Sequence, residues 1–232
     1  MAKKRKTPPQ QAKTIKPTRY TKHTPAKPTV INAWELIKDP YEYSEKKSLH
    51  KTILVVCQKK EEAYYFRHFP LTSLVVMEVE DREDTPLDTV LYAQEVEKGA
   101  PHCFDEVWCV CSTTHQEAAS IEPAAKKANS LGYKFIYTND SFDLWIWLHY
   151  GDPQEDYAAA LNELFNINPE KGKEADFYKH LYNRLEEDSR AQQAQAIVRA
   201  KKLFTLQEKR TYAEQDPLTN IYQLVESITN DK

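Results

Sequence analysis

Short apolar runs recur along the middle of the chain and alternate with segments whose apolar residues follow helical spacing. Four runs are rich in β-branched and aromatic residues and predict buried strands: Thr52–Cys57, Ser73–Val79, Glu106–Cys111 and Lys134–Thr138. The segments after the first three runs predict helices: Glu61–Phe69, Asp88–Lys98 and Gln116–Leu131. Gly132 stands where the last of these helices needs a left-handed residue at its end.

Alternation of strands and helices is typical of an α/β fold with a mostly parallel sheet flanked by helices. Right-handed crossovers join consecutive parallel strands, so the carboxyl ends of these strands meet at one edge of the sheet. We therefore expect any active site at the carboxyl ends of the strands.

From Ser141 onward the pattern of apolar residues becomes helical. The predicted helices are Phe142–His149, Gln154–Leu164, Lys173–Glu187, Ser189–Phe204 and Leu218–Ile228. Pro153, Pro169 and Pro217 separate several of them, because proline does not continue a helix. The predicted organisation is a disordered basic arm over residues 1–28, an α/β core over 29–150 and a helical C-terminal cap over 151–232.

The predicted arm is strongly basic. It contains nine Lys or Arg and no Asp or Glu, so the rest of a chain with net charge −3 carries −12. Basic side chains neutralise phosphates, which predicts nucleic-acid binding by Lys3, Lys4, Arg5, Lys6, Lys13, Lys16 and Arg19. A solvated tail that only aids solubility is the alternative, because five prolines and Tyr20 offer little for stacking on bases. Both interpretations stay open.

Composition narrows the class of protein. The chain has 4 glycines, and none belongs to a phosphate-binding loop, so a nucleotide-binding P-loop is not expected. The 4 cysteines have apolar neighbours and no apolar signal segment begins the chain, which predicts a location in a reducing cytoplasm. The apolar stretches are far shorter than the roughly 20 residues that span a bilayer, so no membrane segment is expected.

Residue types near the third predicted strand suggest two other kinds of site. Thiols and imidazoles are zinc ligands, but their spacing lacks a C-x-x-C pair, so Cys109 and Cys111 are expected to be buried free thiols and no metal ligand is predicted. Ser112, Thr114 and His115 offer a nucleophile and a base. Their pattern favours instead a turn in which Ser112 or Thr114 caps the following helix.

Four parts of the chain between residues 50 and 228 resemble one known family. They are Ile53–Cys57 with Glu62–Phe66, Asp105–Val110, Thr138–Tyr150, and the group Ala196–Ala200, Asp216–Asn220 and Leu224–Glu226. The third, with the sequence TNDSFDLWIWLHY, is the most specific. Together they resemble the RloB-like family of Toprim-related proteins linked to abortive infection and restriction.

The resemblance implies a Toprim-like fold in which acidic residues after two strands hold Mg²⁺ for phosphodiester chemistry. The positions of this chain that match such a site are Gln58, Glu62, Ser112, Thr114, Asn139 and Asp143. The resemblance puts Gln58 where a glutamate is usual, and Ser112 and Thr114 where two aspartates are usual. Neutral oxygens bind Mg²⁺ weakly, so the missing carboxylates predict a disabled site.

Three functions are compatible with these observations. The leading hypothesis is a catalytically inactive or weakened RloB-like protein of bacterial anti-phage or restriction-associated defence, without a cofactor of its own and partnered by an ATPase. The second is a Mg²⁺-dependent nuclease whose site is rebuilt from Glu61 or Glu62, Asp140 and Asp143. The third is a non-catalytic nucleic-acid-binding module that uses the basic arm.

Overall fold

A computed structural model describes residues 50–113, 120–139, 141–167 and 175–229 of the chain. The strands in these residues are β1 (Lys51–Cys57), β2 (Val75–Asp81), β3 (Glu106–Thr113), β4 (Lys134–Asn139) and β5 (Leu218–Thr219). They form one sheet in the order β2-β1-β3-β4-β5. The first four strands are parallel and β5 is antiparallel to β4, which confirms the predicted mostly parallel sheet.

Helices connect these strands and make up most of the C-terminal part. They are α1 (Lys60–Arg67), α2 (Pro86–Gly99), α3 (Ile121–Leu131), α4 (Asp143–Leu148), α5 (Tyr157–Leu164), α6 (Ala175–Lys179), α7 (Leu181–Glu187), α8 (Gln193–Gln207) and α9 (Tyr222–Thr229). The predicted α/β fold, with helices flanking the sheet and following it, is confirmed. Gly132 ends α3 with a φ of 77°, as the sequence predicted.

Different helices cover the two faces of the sheet. Side chains of a strand alternate between faces, so Ile53 and Val55 of β1 pack toward α1 and the C-terminal helices. Leu54 and Val56 pack on the other face against α2 and α3. All four side chains are fully buried, which explains why β1 is a continuous apolar run.

The chain changes its direction across the sheet between β1 and β3. α1 leads from β1 to the edge strand β2, whereas α3 leads from β3 to β4 on the other side. These two helices also pack on opposite faces of the sheet. The carboxyl ends of β1 and β3 therefore border the crevice where open α/β sheets usually bind ligands.

Two predicted helices differ from the structure. The segment predicted as Leu218–Ile228 begins with β5, whose Leu218 pairs with Asn139, and becomes helical only in α9. The segment predicted as Lys173–Glu187 contains α6 and α7, which meet at His180. Apolar spacing alone does not separate a two-residue strand from the start of a helix, because both bury neighbouring apolar residues.

Several predicted features lie outside the described residues. They are the arm over residues 1–28 with its predicted nucleic-acid contacts, and the individual residues Thr114, His115 and Asp140. Among the helices that the structure describes, none combines the length and the apolar character needed to cross a membrane.

Candidate functional site at the carboxyl edge of the sheet

The crevice between β1 and β3 brings three of the predicted positions together. Gln58 follows β1 directly, and its N–H donates to the carbonyl of Val110 in β3 at 2.8 Å. Ser112 lies near the end of β3 and is fully buried. α1 starts just after Gln58 and carries Glu62 into the same region. Gln58, Glu62 and Ser112 are therefore close to one another.

Glu62 is fully buried and accepts hydrogen bonds on both carboxyl oxygens. The Ser112 hydroxyl donates to Oε1, and the N–H of Lys59 donates to Oε2 at 3.1 Å. Lys59 directly precedes α1, so Glu62 occupies the third helical position, where an acidic side chain can satisfy an otherwise unpaired N–H of the helix start. Its carboxyl group thus ties the start of α1 to β3.

Burial changes the ionisation of Glu62. Removal from water raises its pKa to about 7, although the hydrogen bonds from Ser112 and Lys59 act in the opposite direction. At neutral pH about half of the molecules then carry a neutral carboxyl group here. A neutral carboxyl group is a poor ligand for Mg²⁺, which prefers anionic oxygens.

Gln58 is 6% exposed and has only one of its amide atoms paired. Its Nε2 donates to the carbonyl of Asp84 at 2.9 Å, whereas its buried Oε1 has no hydrogen-bond partner. An open depression of about 420 Å³ lies here, lined by Gln58, Lys59, Glu61, Glu83 and Asp84. Gln58 therefore keeps one buried acceptor without a partner beside the depression.

Cations accompany the carboxylates around this depression. Lys60 pairs with Glu83 at 3.3 Å, and Arg82 pairs with Asp84 at 3.4 Å. These pairs are largely exposed, so each contributes little to stability. They nevertheless offset the negative charge that a Mg²⁺ site would need.

Asp143, the first residue of α4, lies in a different group of side chains. The hydroxyl of Tyr178, in α6, donates to its Oδ1 at 3.4 Å. Burial raises the pKa of Tyr178, and the charges of Asp143 and Glu61 raise it further. The Tyr178 hydroxyl therefore has two carboxylates near it and stays protonated at physiological pH.

Asn139 and His149 are buried and fix the backbone around them. Asn139 donates from Nδ2 to the carbonyl of Gln215 at 2.5 Å, and its Oδ1 has no hydrogen-bond partner. His149 Nδ1 lies 2.9 Å from the carbonyl of Trp145, so this nitrogen carries the proton. Burial lowers the pKa of His149 to about 4, and the ring is neutral at pH 7.

The described site positions have different hydrogen-bond partners, although Asn139 pairs in the sheet with Thr113, next to Ser112. Glu62 and Ser112 are in contact, Gln58 borders them, and Asp143 and Asn139 have other partners. Within the described ranges, no group of three or more His, Cys, Asp or Glu side chains could hold a metal ion.

Of the two residues predicted to cap the following helix, Ser112 does not do so, and Thr114 lies outside the described residues. Ser112 lies inside β3 with its side chain buried, and its hydroxyl donates to Glu62 across the crevice. The predicted burial of Cys109 and Cys111 as free thiols is confirmed. Burial raises the pKa of Cys109 to about 12, so this thiol is inert at neutral pH.

Two partners of the site were not predicted from the sequence. Tyr178 reaches Asp143 from α6, and the backbone carbonyl of Asp84 accepts from Gln58. A tyrosine in a helix usually packs in the core, so its residue type does not indicate a site. A backbone carbonyl is present in every residue, so the sequence cannot single one out. The sequence therefore held no pattern that would have identified either contact.

Comparison with known proteins agrees with the motifs of the sequence. The family model for RloB-like protein matches residues 53–228, which covers all the strands except the first two residues of β1. No curated protein and no solved structure matches the chain. Because the match extends over most of the chain, this protein belongs to the RloB-like family.

Proposed function

We propose that this RloB-like protein is a non-catalytic member of a bacterial anti-phage or restriction-linked defence system. In this proposal, the crevice between β1 and β3 does not carry out Mg²⁺-dependent phosphodiester chemistry. The observation that supports it most strongly is the state of Glu62, whose two oxygens already accept from Ser112 and Lys59 and whose pKa is about 7.

The neighbours of Glu62 do not supply the missing negative charge. Gln58 and Ser112 are neutral groups at the two positions where carboxylates would be needed. Mg²⁺-assisted phosphoryl chemistry depends on a metal charge that stabilises the attacking and leaving oxygens. A hydroxyl and an amide do not replace the carboxylates that hold such an ion.

The remaining parts of the proposal come from the family resemblance. It implies an ATPase as partner, which would supply a nucleotide switch, and the chain has no P-loop of its own. A location in a reducing cytoplasm is also part of the proposal, and the buried, unpaired thiols of Cys57, Cys109 and Cys111 support it.

A Mg²⁺-dependent nuclease with relocated carboxylates is the second candidate. The observation that favours it is that the Tyr178 hydroxyl donates to Asp143, while the charge of Glu61 also acts on this hydroxyl. Two carboxylates close to one hydroxyl resemble half of a metal site. A third acidic group from outside the described residues, such as Asp140, would have to complete it.

The test is a calorimetric titration with Mg²⁺ and Mn²⁺, together with cleavage assays on DNA and RNA. We expect neither saturable metal binding nor metal-dependent cleavage from the wild-type protein, from Asp143→Ala or from Glu62→Gln. Metal binding and cleavage that are lost in Asp143→Ala would establish the nuclease and overturn the proposal. Loss only in Glu62→Gln would overturn it as well, by making Glu62 a metal ligand.

A further inference from the structure

A second cavity, of about 420 Å³, lies beside the outer edge of β4 and shares no lining residue with the crevice at Glu62. α3 and α8 contribute to its walls, and the aromatic rings of Phe135, Tyr137 and Tyr212 line it. Its volume falls within the range of small-molecule sites in proteins.

One residue of β4, Phe135, has a backbone N–H and a carbonyl without a described partner at the cavity. β5 contains two residues, and Asn220 extends its pairing, donating from its N–H to the carbonyl of Tyr137 at 3.2 Å. The N–H of Tyr137 donates in turn to Asn220 Oδ1 at 2.6 Å. The chain then enters α9 and leaves the sheet.

Along a strand, the N–H and carbonyl of every second residue point to the same side, which identifies the backbone groups that remain unpaired. Tyr137 directs its N–H and carbonyl to the outer side, so Phe135, two residues earlier, directs its own N–H and carbonyl to that side as well. β5 does not extend to Phe135, and no described residue bonds these two groups there. A donor and an acceptor of one residue thus face the cavity.

Asn220 adds a second donor. It is 5% exposed and lines the cavity, and its Oδ1 is occupied by the N–H of Tyr137. No described residue accepts a hydrogen bond from its Nδ2, and this atom keeps some exposure, so it is an accessible donor at the cavity. Accessible donors of this kind bind water or a ligand.

The aromatic walls favour a flat ligand. The rings of Phe135 and Tyr137 lie 6.2 Å apart and are inclined by 28°, and the ring of Tyr212 meets Tyr137 edge to face at 5.3 Å. Phe135 and Tyr212 are only partly buried, so their rings keep area for stacking. An aromatic heterocycle can cover such surfaces with its face while its edge forms hydrogen bonds.

From these groups we infer that the cavity binds a nucleobase. Each common base has an acceptor next to a donor on its pairing edge, which matches the N–H and carbonyl of Phe135. An added peptide strand fits this edge less well. Among the outward-facing residues of β4, Tyr137 and Asn139 are already paired, and only the N–H and carbonyl of Phe135 lack a described partner. A strand would need several open groups in a row.

The charged residues of the cavity favour neither a free nucleoside nor a base within a nucleic-acid strand. Arg210, Glu208 and Glu122 all line the cavity, so its charged groups are one cation and two anions. Free nucleosides and single-stranded nucleic acid share the same base chemistry. The experiment must therefore include both sources.

The test is a calorimetric titration of the full chain with adenosine, guanosine, cytidine and uridine, and then with single-stranded DNA and RNA oligonucleotides. We expect saturable binding of at least one of them, weakened about tenfold by Tyr212→Ala through lost stacking. Asn220→Asp keeps the oxygen that Tyr137 needs and removes the amide donor, so it should also weaken binding. Tyr92→Ala, whose ring contacts Arg82 outside the cavity, is the matched control and should bind like wild type.

Thermal unfolding of each variant checks that the fold is intact. Binding of oligonucleotides without nucleosides, with the same loss in Tyr212→Ala, would identify bases within a strand as the source. Failure of every nucleoside and oligonucleotide to bind would overturn the inference. Binding that Tyr212→Ala leaves unchanged would also overturn it, because another surface would then be responsible. Neither result bears on the Mg²⁺ titration of the crevice.

Discussion

The two ends of the sheet place a glutamate in opposite environments. At the amino end, Glu106 of β3 accepts hydrogen bonds from Lys134, Trp108 and Ser227. Burial acts to raise its pKa, but these bonds prevail and lower it to about 2. Lys51 adds an ion pair at 3.4 Å. Glu106 is therefore charged at neutral pH and joins β1, β3, β4 and α9.

At the carboxyl end, Glu62 has no cation in contact with its carboxyl group in the described part of the chain. It accepts from one hydroxyl and one backbone N–H, and its pKa is raised to about 7. Gln58 and Asn139 near the same edge each keep a buried oxygen without a partner. The charged Glu106 thus has several donors, whereas Gln58 and Asn139 keep unpaired oxygens, and unsatisfied buried groups are common at binding sites.

Removing the glutamate of the amino end should have the largest effect. Glu106→Ala removes the acceptor that Lys134, the Trp108 Nε1 and the Ser227 hydroxyl share, and we expect a loss of about 3 kcal/mol in the free energy of unfolding, as for hydrogen bonds to a charged group. Urea unfolding measures it. Glu122→Ala, which removes an exposed pair with Lys126, is the control and should be close to wild type. Equal stability of the two variants would contradict a structural role for Glu106.

Glu62→Gln should change how stability depends on pH. The folded state holds the Glu62 proton more tightly than the unfolded chain, so its contribution is fully present below pH 4.5 and is lost as the pH rises through about 7. The difference corresponds to about 3 kcal/mol. Wild type relative to Glu62→Gln should therefore lose stability over this pH window. A difference that is constant with pH would show that Glu62 has an ordinary pKa.

Ser112→Ala tests the contact between β3 and α1. We expect a loss of about 1 to 2 kcal/mol in the free energy of unfolding at pH 8, because the charged form of Glu62 loses a donor. Without this donor the pKa of Glu62 should rise further. Ser130→Ala, at an exposed position at the end of α3, is the matched control. An unchanged midpoint for Glu62 in Ser112→Ala would rule out the contact.

Gln58→Met should have the smallest effect on stability. It removes the hydrogen bond to the Asp84 carbonyl but also removes the unpaired Oε1, and these two changes offset each other to within about 1 kcal/mol. Chemical unfolding at pH 7 measures the result. A loss comparable with that of Glu106→Ala would mean that Oε1 has a strong partner, and the contrast between the two ends would disappear.

The fold could be predicted from the sequence because its signals are local. The continuous apolar run of β1, the helical spacing of α2 and the glycine that ends α3 each follow from neighbouring residues. β5 escaped prediction because its pairing with β4 joins Leu218 to Asn139, far away along the chain. Two residues are too few to show the alternating pattern that predicts a strand.

For the candidate site, the sequence predicted the residue types but not their contacts. The sequence indicated that Gln58 and Ser112 are neutral where carboxylates are usual in the family. It gave no sign that Ser112 lies against Glu62, fifty positions away, or that burial keeps Glu62 partly protonated. Desolvation depends on everything packed around a side chain, so no local pattern encodes it.

The most direct test of the account is the titration of the Glu62 carboxyl carbon by NMR, with and without Mg²⁺, using Glu62→Gln to assign the signal. We expect a midpoint near pH 7 that Mg²⁺ does not move. A midpoint at or below the ordinary value of 4.5, or one that falls when Mg²⁺ is added, would show an ionised metal ligand at the carboxyl edge and contradict the proposed non-catalytic function.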